Sequence, residues 1–229
     1  MSTARLALAV VAALCTAAAF AAPGGATNEC RGIRDCIDVT GPWVLVPGRG
    51  EATYLLECPR RRGVIGGTDA LTTSQDVHVT FDGLLGGPVS PGTTTTRFAY
   101  FRGLSAAHRR GAFEPLIGCI PVSAGGRATT SARVTPAGPP LDLAASTIPL
   151  RPGAVRNLTL SCPTGEELVD SWDATAFRTV APPLVAYGDA IRVQRTQRSA
   201  KLAVTIQASE TLPAAARAEV QVGVICASR

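Results

Sequence analysis

The chain has 229 residues, of which 46% are hydrophobic, 17% charged and 5% aromatic. That is enough apolar material for folded domains, and it excludes an intrinsically disordered polymer. A net charge of +5 is modest and spread over both halves, which excludes a basic nucleic-acid-binding domain.

At the start of the chain, Met1 to Ala22 carries a single cation, Arg5, followed by an apolar run from Leu6 to Leu14 and the small-residue end Ala19-Phe20-Ala21. This is the order of a secretory signal peptide over residues 1–21, with cleavage after Ala21. A retained anchor and a lipidated Cys15 are the lesser alternatives. No second apolar stretch reaches spanning length, so no transmembrane segment is expected after signal removal. The expected location is secreted or cell-envelope associated. Six cysteines remain, Cys30, Cys36, Cys58, Cys119, Cys162 and Cys226, an even number in a chain sent to an oxidising compartment.

Laying Cys58-Pro59 on Cys162-Pro163 shifts the numbering by 104, and the same shift lays Asp69-Ala70 on Asp173-Ala174. Around the later cysteines, Leu116-Ile117-Gly118-Cys119 matches Gly223-Val224-Ile225-Cys226. A period of this length is that of a domain rather than a solenoid unit. The expected organisation is an N-terminal segment 22–37 with a short disulfide loop, a first domain 38–122, a Gly/Pro/Ser/Thr-rich linker 123–140 and a second domain 141–229. One cysteine near each end of each copy selects, from 15 connectivities, Cys58 with Cys119 and Cys162 with Cys226, leaving Cys30 with Cys36.

Taken along the chain, the elements read as strands. Val77, Val79 and Phe81 alternate with the outward His78 and Thr80, and further strands follow over Thr93–Phe101 and Phe113–Val122. In the second half the inward sets are Leu158, Leu160 and Cys162, then Leu202, Val204, Ile206 and Ala208, then Val220, Val222, Val224 and Cys226. Helix-period windows are confined to short turns at Ser105–Arg110 and Leu212–Arg217. The fold class is all-β, two tandem antiparallel sandwiches with one internal disulfide each. Cys162 and Cys226 both fall on buried registers, which suits a bridge across a sandwich core. In that respect each half resembles the immunoglobulin-like sandwiches, with Trp172 ten residues after the first cysteine of its copy. The resemblance implies a fold and no activity.

Few residues point to chemistry. The only histidines, His78 and His108, adjoin no nucleophile motif, and no cofactor-binding or metal-ligand spacing occurs, so neither a cofactor nor a metal is expected. Asp69 and Asp173 recur eleven residues after a cysteine in both copies and read as carboxylates accepting turn amides. Arg60, Arg61 and Arg62, with His108, Arg109 and Arg110, form short basic clusters on expected loops that could meet an anionic polymer or a protein. Together with the loop Gly83–Gly92 they form the candidate binding surface. The functional expectation is a secreted, non-enzymatic binding or structural protein. The alternatives are an extracellular hydrolase using acids such as Asp69, Asp170 or Asp173, and a proteinase inhibitor.

Overall fold

A computed structural model describes residues 36–59, 64–81, 98–120 and 141–228. The proposed signal peptide, Cys30, Arg60 to Arg62, the Gly83–Gly92 loop and the linker lie outside the described residues.

The first half supplies β1 (Ile37–Thr40), β2 (Trp43–Val46), β3 (Glu51–Glu57), β4 (Val64–Thr72), β5 (Val77–Phe81), β6 (Phe98–Ser105) and β7 (Gly111–Ile120). The second supplies β8 (Leu141–Pro149), β9 (Val155–Ser161), β10 (Glu166–Phe177), β11 (Ile191–Arg198), β12 (Lys201–Ala208) and β13 (Ala218–Ser228). Two 3-10 turns, Val185–Ala190 and Ala214–Ala216, complete the elements among the described residues. The second falls within the helical turn expected at Leu212–Arg217. The turn expected at Ser105–Arg110 does not form: Ser105 ends β6, and residues 106–110 are an irregular loop. Ser105 and Ala106 donate backbone N–H groups to Gly50 and Asp76, which holds that loop against the β2–β3 and β4–β5 turns.

The duplication read from the cysteines is a duplication of topology. In the first half β4, β7 and then β1 with β2 lie side by side, facing a three-stranded sheet ordered β3-β6-β5. In the second half β10, β13 and β8 lie side by side, facing β9-β12-β11. β8 is one unbroken strand where the first half has β1 and β2, interrupted at Gly41-Pro42. The interruption has a local cause: the Gly41 N–H bonds to the Pro115 carbonyl at 2.8 Å, and a Cβ at Gly41 would lie 2.6 Å from the Pro115 ring.

The two halves share one sheet. β2 pairs with β10 through Val44↔Ala176 and Trp43↔Phe177, so seven strands run in the order β4, β7, β1/β2, β10, β13, β8, with every neighbouring pair antiparallel. Alternation along β2 then serves two cores. Val44 and Val46 join Ala174 and Ala176 in the first, while Trp43 and Leu45 join Phe177 in the second. The three-stranded sheets therefore lie on opposite faces of the long one.

Cys58–Cys119 and Cys162–Cys226 are both disulfides, and each ties a three-stranded sheet, at the end of β3 or β9, to the long sheet at β7 or β13. Cys36 is also disulfide-bonded. Trp172 is not in the core spanned by its own copy's disulfide. It shares a face with Ala174 of the first core, its indole lies over Gly223, and its ring meets Tyr100 of the first half edge-on at 5.2 Å. A Cβ at Gly223 would stand 2.0 Å from the indole, so only glycine admits this packing.

Candidate functional site

The residues singled out from the sequence are dispersed. Arg109 faces Asp76 at 3.7 Å and Arg110 pairs with Asp189, so both loop cations have acidic neighbours. Asp69 accepts the Ala70 N–H at 2.7 Å and Asp170 accepts the Ser171 N–H at 2.7 Å, the local capping expected of short carboxylates. Asp173 instead pairs with Arg195 of β11 at 3.0 Å. Burial holds the Asp173 carboxyl above the ordinary carboxylate range, and the Arg195 guanidinium opposes that shift.

Asp69 and Asp173 are matched in sequence but not in position. Asp173 lies opposite Val222, a member of the second core, and so faces its own three-stranded sheet. Asp69 lies opposite Leu116, whereas the β7 residues of the first core are Phe113, Ile117 and Cys119. The two carboxylates thus sit on opposite sides of their respective copies. β4 and β10 each carry one bulge, at Ile65/Gly67 and Leu168/Asp170, so these cancel. The parity differs because the residue opposite the later cysteine is Ile65, seven after Cys58, in one copy and Leu168, six after Cys162, in the other. The register brings no two of Asp69, Asp170 and Asp173 opposite each other.

Polar chemistry concentrates at the joint between the halves. The buried Tyr54 hydroxyl donates to Glu219 Oε1 at 2.7 Å, and Arg178 grips the same carboxylate through Nε at 2.7 Å and an Nη at 3.1 Å. Burial, reinforced by the Glu219 charge, pushes the Tyr54 phenol well above its ordinary value, so it remains a donor. Burial works against the charged form of Arg178, but its bonds to Glu219 outweigh this and keep it firmly cationic. Two residues along β13, the Gln221 carboxamide accepts the Leu55 N–H at 2.6 Å and donates to the Leu55 carbonyl at 2.9 Å. A side chain thus makes the paired bonds that a neighbouring strand would make to the outer edge of β3. Beside it lies a groove of about 290 Å³, lined by Val39, Leu55, Ala145, Thr147 and Arg178 among others.

A second surface escaped the sequence reading. β11, β12 and β9 pair in register, so Arg192, Gln194, Thr196 and Arg198 share the outward face with Gln207, Thr205, Ala203 and Lys201, and with Val155, Asn157, Thr159 and Ser161. The opposite side of β12 carries Leu202, Val204, Ile206 and Ala208, all in the second core. Every charged residue on the outward face is a cation. Arg192, Arg198 and Lys201 are exposed and form no ion pair among the described residues, whereas Arg195, on the inward register, is paired. Arg198 lies directly opposite Lys201, and Arg192 is about 20 Å away along the strand. The signal was legible as the alternation Arg192-x-Gln194-x-Thr196-x-Arg198, in which the polar rather than the apolar set is regular.

None of the helical segments among the described residues is long and apolar enough to cross a membrane. No protein-family model matches the sequence, and no curated protein is similar to it.

Proposed function

We propose that the chain is an exported, non-enzymatic binding or structural protein of the cell envelope or extracellular space, built as two tandem immunoglobulin-like sandwiches, and that it binds an anionic polymer. The observation that carries this reading is the outward face of β9, β12 and β11, a largely polar surface whose charges are all positive. Cations on a rigid sheet attract a polyanion with little loss of side-chain freedom beyond their own, and salt screens that attraction. Hydroxyl and amide groups between the cations, such as Thr159, Gln194 and Thr196, offer hydrogen bonds to sugar hydroxyls or phosphate oxygens. The two sheet-to-sheet disulfides support service in an oxidising compartment. This moves the proposed contact from the loops at Arg109 and Arg110 to the middle of a sheet.

The test is retention on immobilised dextran sulfate as salt is raised. The triple variant R192Q/R198Q/K201Q is expected to weaken binding at low salt by roughly tenfold, at a few tenths of a kcal/mol per exposed cation. R109Q/R110Q is expected to change it little. A loop variant that abolishes retention while the sheet variant keeps it overturns the assigned face. A native chain that passes unretained at low salt overturns the polymer reading.

A further inference from the structure

The long sheet contains, at its centre, the contact that its own two ends could make with another molecule. Inside the chain, the outer edge of β2 pairs with the outer edge of β10. By topology β8 is the second copy's counterpart of β1 and β2, and β4 is the first copy's counterpart of β10. These counterparts are the end strands of the seven-stranded sheet. We infer that the protein associates head to tail with further copies of itself, the β8 edge of one molecule pairing antiparallel with the β4 edge of the next.

Three observations agree on the geometry. First, strand direction alternates across the whole sheet, so β8 of one molecule and β4 of the next have the antiparallel sense that joins β2 to β10. Second, passing from the first copy to the second reverses strand direction and turns the sheet over, which is why the two cores lie on opposite faces. That operation is a half-turn with a translation along the sheet. Repeated, it never closes, so it builds a filament rather than a ring.

The third observation is the outward direction of backbone groups at both ends. Leu150 N–H bonds to the Ala218 carbonyl, and from that pair the β8 residues facing β13 alternate with Thr147 and Ala145, whose N–H and C=O groups point away. On the other end, Thr73 N–H bonds to Ala112 and the neighbouring Thr72 points away from β7. Neither edge carries a lysine, and the single proline, Pro149 at the last position of β8, removes one outward N–H; the sequences are LDLAASTIP and VIGGTDALT, each with one acidic residue. By contrast the β3 edge is plugged at Leu55 by Gln221. Among the described residues, no strand pairs with the edges that extend the long sheet. Six strand positions per molecule, at about 4.8 Å each, give a rise of about 29 Å along the filament.

The experiment is sedimentation velocity of the oxidised chain over a concentration series, with edge-blocked variants. The native chain is expected to gain mass with concentration and to pass beyond the dimer. A145P blocks β8 and T72P blocks β4, each removing an outward N–H and no bond within the sheet, and each alone is expected to stay monomeric. Mixed, they retain one complementary pair of edges and should form a dimer with one copy of each. A145K and T72K repeat the test should either proline variant fail to fold, as judged by circular dichroism and disulfide content. A native mass that stays monomeric throughout overturns the inference. So does assembly that survives either single block, or that one block abolishes and the other does not.

Discussion

β2 and β8 are the same strand in two settings. β2, Trp-Val-Leu-Val, is buried on both faces because the second half continues the sheet beyond it, and its side chains divide between two cores. Its counterpart ends the sheet: Ala144, Ala145 and Thr147 are exposed, and only Ile148 among the residues near them packs on a core. Burial on two sides demands an uninterrupted apolar run, and burial on one side demands alternation. The difference between the two sequences is therefore a record of where the copies were joined.

The largest test of that comparison removes the staples one copy at a time. Replacing Cys58 and Cys119 together by alanine, or Cys162 and Cys226, is expected to cost about 4 kcal/mol from the entropy of loops of 61 and 64 residues. Because the copies share β2, either pair should lower a single denaturant midpoint for the whole chain. Two separated transitions would show instead that the shared sheet does not couple them. Next in size is the joint. E219A removes the acceptor of the buried Tyr54 hydroxyl and frees a half-exposed Arg178 to water, for an expected loss of about 2 kcal/mol by urea denaturation. A loss equal to that of an exposed surface acid would mean that the joint adds nothing. The smallest effect is the contrast between the counterparts themselves. V44A is expected to cost about 2 kcal/mol and I148A about 1, although the second deletes more carbon atoms. The reverse order would refute the account of two-sided burial.

Much of the fold was legible because a single buried face writes itself into the sequence. β5, β12 and β13 were read from their alternation, and β9 from Leu158 and Leu160. The pairing of Cys58 with Cys119 and of Cys162 with Cys226 followed from the repeat and holds in the structure. β2 was not read, because a strand buried on both sides has no alternation to detect. The joint was invisible for a different reason: Tyr54 and Glu219 are 165 positions apart, and nothing local marks a tyrosine whose partner lies in another copy. The apparent equivalence of Asp69 and Asp173 failed because the connection from Cys58 into β4 is one residue longer than that from Cys162 into β10, and one residue is enough to exchange the faces. The cationic face was within reach of the same alternation argument, applied to polar residues instead of apolar ones.

The chain has two tryptophans, and neither is inside a disulfide-spanned core on its own copy's side. Trp43 stands opposite Phe177 across the β2–β10 pairing, and Trp172 is held between Gly223 and Tyr100. Both fluorophores consequently watch the seam. Ultraviolet emission of the unlabelled protein reports the parting of its halves, while the peptide-bond absorption follows the strands, so the order in which seam and sandwiches come apart can be timed with native optical signals alone.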